Sequence, residues 1–355
     1  MSLSWILLGL SAASASEPVA TPKIINGTQA SADEYPMTGA MMLDATLSFG
    51  GAGSQDIRIL VCSSTLIAPD VVLLAAHCVD PYPITFGFGE LSNVDFRWTR
   101  ETDLSAHDGS GISDWPADNV RAWDWVMHPN WDIEAMEIGI AKNNDIALLF
   151  LDEPILDVEP AYLIAEDEVD QLVEGSEVDV VGWGQQVATD LFESPPAGTY
   201  GLKYAGTSWV SELGEFEFQV GANEDDVRKC HGDSGGPSFL EIDTESAEPM
   251  RLVGVTSHAY DETDCDSTGG VDTRVDAFLG WIEAEMVSRC EDGSRSWCEE
   301  YGILKAPLSG DDDLEGEDPI GACACASSSG KPLSGLAWLP LVLGWIGWRR
   351  KRLQS

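Results

Sequence analysis

Positive charge is what this 355-residue chain most lacks: 19 Lys and Arg stand against 61 Asp and Glu, for a formal net charge of -42. A surface of that sign repels nucleic acid and anionic lipid, so neither is expected as a partner. It suits solution in high salt, where self-repulsion is screened. A plain, highly charged soluble surface accounts for it as well. Histidine is scarce too. The five His are scattered, no Cys/His spacing resembles a zinc site, and no metal or cofactor is expected. The first apolar run, Trp5 to Ala13, lacks the Lys or Arg that usually precedes a secretory h-region. Its small-residue end, Ala13-Ser14-Ala15, nevertheless fits a cleavage site, so residues 1–15 read as a signal peptide; a buried first strand or helix is the alternative. Export would place the chain where disulfides persist.

What is present suits a sizeable core: 44% apolar residues and 13 Trp. Short apolar runs recur between Gly, Pro, Asn and Asp, among them Val71 to Ala75, Ile146 to Leu151, Val178 to Val181 and Leu252 to Val255. Such spacing indicates an all-β barrel or sandwich. Leu279, Ile282 and Met286 recur at helical spacing and predict a closing helix. Residues 99–124, rich in Asp, Ser and Gly, and residues 186–201, with Pro195-Pro196, read as surface loops. From 288 to 322 the composition is that of an acidic linker, including Asp311-Asp312-Asp313. Residues 323–355 form a separate tail: Cys323 and Cys325, a Ser-rich spacer, the apolar stretch Leu333 to Trp348, and the cluster Arg349-Arg350-Lys351-Arg352. That stretch is about as short as a spanning helix can be, and the basic cluster would hold its end on the cytoplasmic side.

Three segments supply the parts of a nucleophilic hydrolase. Leu73-Leu74-Ala75-Ala76-His77-Cys78 leads an apolar run to a His that the following Cys could pin. A lone His is more often structural than catalytic. Asn143-Asn144-Asp145-Ile146-Ala147-Leu148-Leu149 opens a buried strand on a carboxylate, which needs a partner there; an imidazole N–H is suitable, and a turn or cap is the ordinary alternative. Gly232-Asp233-Ser234-Gly235-Gly236-Pro237 is far more specific. A nucleophilic Ser needs a base for its proton and backbone N–H groups for the oxyanion, and flanking Gly lets the backbone come close to a substrate.

In the order His, Asp, Ser these segments resemble the trypsin/chymotrypsin family of serine endopeptidases over about residues 24–287. Ile24-Ile25-Asn26-Gly27, Gly182-Trp183-Gly184, Val126-Met127-His128-Pro129-Asn130-Trp131 and Gly270-Val271-Asp272-Thr273-Arg274-Val275 are similar to further family segments. The resemblance implies an all-β fold of two packed six-stranded antiparallel barrels with a C-terminal helix. It implies a catalytic triad of His77, Asp145 and Ser234, an oxyanion hole of the Gly232 and Ser234 N–H groups, and Ser257 pairing with the substrate backbone. It also implies activation by cleavage after Lys23, which frees the Ile24 amine to pair with Asp233; residues 16–23 are then a propeptide, and an activating protease is a partner. Disulfides Cys62–Cys78 and Cys230–Cys265 match family pairs. A Cys290–Cys298 bond is inferred from proximity alone.

The pocket for the substrate's P1 side chain departs from the family. Six residues before Ser234, where trypsins carry Asp, stands Arg228; Lys229 follows, His231 lies at the lip, and His258 replaces the usual Trp beside Ala259. Arg binds carboxylates bidentately, so Glu or Asp is expected at P1. The rival expectation is that Asp272, Asp225 or Asp226 neutralises Arg228. The tail resembles bacterial C-terminal sorting signals of the myxobacterial type, which implies anchoring through Cys323 or Cys325 at the surface of a Gram-negative bacterium; a retained membrane anchor is the alternative. Protein or peptide substrates are expected. An inactive homologue that binds, or an esterase using the same triad, are the other classes to weigh.

Overall fold

The computed structural model describes residues 24–50, 53–85, 87, 89–107, 114–187, 196, 198–261, 268–295 and 297–298. The expected signal peptide, propeptide, most of the acidic linker and the sorting tail lie outside them. The chain divides into two units, Met1–Leu314 and Glu315–Ser355, and every described residue belongs to the first.

Strands β1 (Thr28–Gln29), β2 (Thr38–Ser48), β3 (Ser54–Ala68), β4 (Val71–Leu74), β5 (Glu90–Thr99), β6 (Val120–Met127) and β7 (Ala147–Leu151) come first. Six of them close a barrel in the order β2-β3-β4-β7-β6-β5. The apolar runs that lacked alternation are the strands buried on both faces: every residue of β4 and of β7 is buried. The expected loop 99–124 ends sooner than its composition indicated, because Val120 already opens β6. Near one end of β2 the pairing slips, Met41 lying opposite Cys62 and Met42 opposite Leu60. One extra residue there bends β3 and lets the sheet curl.

The second half repeats the architecture with β8 (Glu177–Gly182), β9 (Tyr204–Leu213), β10 (Glu217–Val220), β11 (Pro237–Glu241), β12 (Met250–Ala259) and β13 (Gly270–Arg274). They run β9-β10-β13-β12-β11-β8, and β8 pairs back onto β9, so this sheet also closes with six strands. Closure removes the open edges on which sheets aggregate. β1 adds to the outside of β9. The chain then turns into the predicted helix, α1 (Leu279–Glu291), whose Ile282 and Met286 are buried in a core shared with the first barrel. Arg289 in its last turn pairs with Asp124 of β6 at 2.8 Å. Arg295 reaches the β3–β4 turn, pairing with Asp70 at 2.8 Å, both side chains being buried.

Tight packing of backbone on ring fixes the first barrel. Trp98 on β5 is buried against Gly39 on β2, and its indole N–H donates to Ser64 Oγ at 3.1 Å. A Cβ at Gly39 would fall inside the indole. Gly39→Ala is therefore expected to destabilise the protein by about 1–3 kcal/mol, read as a lowered urea midpoint with an unchanged m-value.

Candidate functional site

β4 delivers His77. It ends at Leu74, and the chain passes through the buried Ala75 into a 3-10 turn, Ala76–Cys78. Cys78 is bonded to Cys62 of β3, as expected, so the residue after His77 is tied to the neighbouring strand. Asp145 arrives on the segment that precedes β7. Asn144 before it takes φ 56, a left-handed conformation that Asn tolerates, and this turns the Asp145 carboxylate inward. That carboxylate is fully buried and accepts three hydrogen bonds: from His77 Nδ1 at 2.7 Å, the His77 backbone N–H at 2.9 Å and Ser257 Oγ at 2.5 Å.

Burial alone would push Asp145 up. The His77 charge and the hydrogen bonds from His77 and Ser257 outweigh it and hold the carboxyl below its ordinary value. For His77, burial pulls down, Asp145 pulls up, and the net is above the ordinary histidine value. The bound Nδ1 is thus a donor, which leaves Nε2 of the neutral ring as a base.

The second barrel steadies this pair from behind. Thr273 Oγ1 donates to the Asp145 carbonyl at 3.0 Å. Glu217, buried on β10, accepts from the Ala141 N–H at 2.9 Å and the Asn143 N–H at 3.2 Å, and so clamps the segment that carries Asp145. Sequence reasoning missed Glu217; it lies over seventy residues away in the chain, and no local pattern marks it.

Ser234 and His77 line one cavity of about 560 Å³. Gly232 takes φ 93, and a Cβ on it would meet Gly184 and the Tyr200 ring, so only Gly fits that position. The N–H groups of Asp233, Gly235 and Gly236 donate to backbone carbonyls. Among the described residues those of Gly232 and Ser234 do not. Two backbone donors thus lie beside the hydroxyl without a backbone acceptor among the described residues. Asp233 is buried, and its carboxylate accepts from the Gly184 N–H at 2.8 Å and the Cys230 N–H at 2.9 Å. Burial pushes it up to about 6. Ile24, the expected partner of Asp233 after cleavage, is itself buried with φ 30, an uncommon conformation for a β-branched residue.

Two expectations need correction. Arg228 is buried but does not line the cavity: its backbone bridges to Ile25, and its guanidinium donates to the Glu224 carbonyl at 3.0 Å. Lys229, the next residue, lines the cavity. Asp272 neutralises Lys229 rather than Arg228: Lys229 Nζ lies 2.6 Å from one Asp272 oxygen and 2.8 Å from the other, and it also donates to Ser238 Oγ at 2.8 Å. Cys290 and Cys298 are free thiols, not a disulfide. Cys290 Sγ is taken up by Arg295 Nη1 at 3.3 Å, and burial together with the neighbouring Cys298 thiol pushes it up to about 12. Cys230 is disulfide-bonded, while Cys265 lies outside the described residues. His231, Ser257, His258 and Ala259 line the cavity.

Known proteins agree with this architecture. The sequence profile described as Trypsin matches residues 24–282. Chymotrypsin-like elastase family member 1 of Homo sapiens is 27% identical over 280 residues, covering 76% of this chain and 95% of that protein. A CLIP domain-containing serine protease of Bombyx mori is 27% identical over 280 residues, covering 74% and 69%. The vitellin-degrading protease of Bombyx mori is 24% identical over 300 residues, covering 81% and 94%. Two closed six-stranded barrels, a His–Asp pair opening onto a serine-lined cavity and a family match across most of the chain lead to one conclusion: the chain belongs to the trypsin family and is a serine endopeptidase.

Proposed function

We propose that Ser234 is the nucleophile, His77 its base and Asp145 the group that orients His77. The carrying observation is the 2.7 Å contact between His77 Nδ1 and the buried Asp145 carboxylate, in a cavity that Ser234 also lines. Ser234 Oγ attacks the scissile carbonyl carbon as its proton passes to His77 Nε2. The carbonyl oxygen becomes an oxyanion received by the N–H groups of Gly232 and Ser234, each worth about 3 kcal/mol in the transition state. His77 then gives its proton to the leaving amine, and water releases the acyl group by the same steps. Ser257 to Ala259 present the edge that pairs with the substrate backbone.

The P1 side chain enters beside Lys229. All three ammonium N–H groups of Lys229 have acceptors in Asp272 and Ser238, and the ion pair carries no net charge. The acidic-P1 expectation rested on Arg228, which faces elsewhere, so the proposal takes an uncharged P1 side chain. Cleavage after Lys23 would free the Ile24 amine. Asp233, a buried carboxylate lacking an ion-pair partner among the described residues, suits that ammonium. Export through residues 1–15 and surface attachment through the 323–355 tail complete the proposal. They are supported by sequence pattern and, for export, by the Cys62–Cys78 bond.

P1-varied peptides presented to the Lys23-cleaved enzyme are expected to be cut best after uncharged residues. Ser234→Ala should lower kcat by roughly 10⁵–10⁶-fold. Ester turnover without peptide turnover would overturn the peptidase reading, and best cleavage after Glu or Asp would overturn the P1 reading. A Lys23→Gln protein that keeps its N-terminus is expected to be at least roughly 10²-fold less active, the worth of one lost oxyanion donor. Full activity of that uncut protein would refute the switch.

The same carboxylate sets a pH dependence in the uncut form. Because its folded value is raised, Asp233 stabilises the fold below about pH 4, and this contribution is lost as pH rises through about 6. In the Lys23→Gln background, Asp233→Asn should therefore gain on its parent between pH 4 and 7 by up to about 3 kcal/mol in urea unfolding.

A further inference from the structure

One ring in the cavity takes no part in these steps. His258, at the end of β12 beside Ser257, has Nδ1 3.0 Å from Ser257 Oγ and Nε2 3.2 Å from the Gly139 carbonyl oxygen. Ser257 Oγ also lies 2.5 Å from Asp145 Oδ2. These contacts compete for protons. A carbonyl only accepts, so His258 Nε2 carries hydrogen. Ionised Asp145 only accepts, so the single Ser257 hydroxyl proton lies in the short contact to it. The remaining contact, Ser257 Oγ to His258 Nδ1, is then a hydrogen bond only when Nδ1 is protonated as well, that is, when the ring is an imidazolium. A neutral ring presents a bare lone pair at Nδ1, and it contends with Asp145 for that one proton.

We infer that His258 is a positioning residue that sets, through Ser257, how strongly the third of the hydrogen bonds to Asp145 is donated. The inference rests on the roles given above to Asp145 and His77. With His258 charged, Ser257 is committed to Asp145. With His258 neutral, the Nδ1 lone pair competes for the Ser257 proton and weakens the bond Asp145 receives from Ser257, while the two bonds from His77 stay. A carboxylate with a weakened donor is more basic and holds the His77 proton more tightly. Protonation of either ring therefore weakens proton binding at the other, and the two titrate as a coupled pair.

The surroundings place His258 where it can change state. Burial holds it below the ordinary histidine value; the Gly139 carbonyl and the carboxylates of Asp145 and Asp272 pull it up, and His77 pushes it down. Lys229 is engaged with Asp272, and Glu137, His231 and Asp261 share the cavity wall.

The test is histidine-ring NMR on full-length Ser234→Ala protein, in which five histidines give few signals and His258→Asn identifies one of them. The neutral His258 is expected as the Nε2–H tautomer, and the His258 and His77 curves should both depart from a single-site shape. Asn offers an amide N–H at the Nδ1 position and cannot titrate. In His258→Asn, His77 should follow one ionisation, with its midpoint lowered by on the order of one unit. With Ser234 intact, the acid limb of kcat/KM should be shallower than a single ionisation in the parent, and should steepen and move to lower pH in His258→Asn. A His77 titration unmoved by the substitution, or a neutral His258 protonated at Nδ1, would overturn the inference. Coupled rings in a protein that cleaves no peptide would support the pairing and sink only the peptidase reading. Normal cleavage with independent rings would sink only the pairing.

Discussion

A carboxylate held out of water is the constraint on which the site depends. Leaving an ionised group in an apolar interior without partners costs many kcal/mol. Asp145 is kept charged by donors drawn from separate parts of the fold: His77 at the end of a first-barrel strand, and Ser257 on a second-barrel strand. Thr273 and Glu217, also from the second barrel, fix the backbone that presents it. The two barrels therefore converge on one charge. Shifting either barrel would remove donors from Asp145, so the position of His77 and the ionisation of Asp145 are two aspects of one arrangement.

The Lys229–Asp272 pair shows the same economy of charge beside the cavity that Ser234 and His77 line. Replacing a buried pair with apolar residues is often neutral for stability, whereas removing one partner is strongly destabilising. Lys229 and Asp272 can thus change together far more easily than singly. With Asp272 and Ser238 both accepting from Lys229, the pair is neutral as a whole.

Much of this was legible in the residues. The segments singled out around His77, Asp145 and Ser234 do meet: His77 pairs with Asp145, and Ser234 lines the same cavity as His77. Leu279, Ile282 and Met286 correctly marked a helix. The failures have physical causes. Counting back from Ser234 reached Arg228, but counting does not reveal what a side chain contacts: the Arg228 guanidinium donates to the Glu224 carbonyl, and Lys229 is the cation that lines the cavity. Proximity in sequence suggested a Cys290–Cys298 bond; the two thiols are neighbours but both are free. Glu217 and the proton contest at Ser257 depend on contacts between distant segments, and no local pattern encodes them.

The chain's few cations are also unevenly placed. Lys203, Arg228, Lys229, Arg251 and Arg295 are all buried, which strips the solvent-facing shell of positive charge it could least spare. Such a shell gathers cations and protons from solution. Added salt screens that attraction. For a titrating group on such a surface, raising ionic strength and raising pH both favour release of its proton.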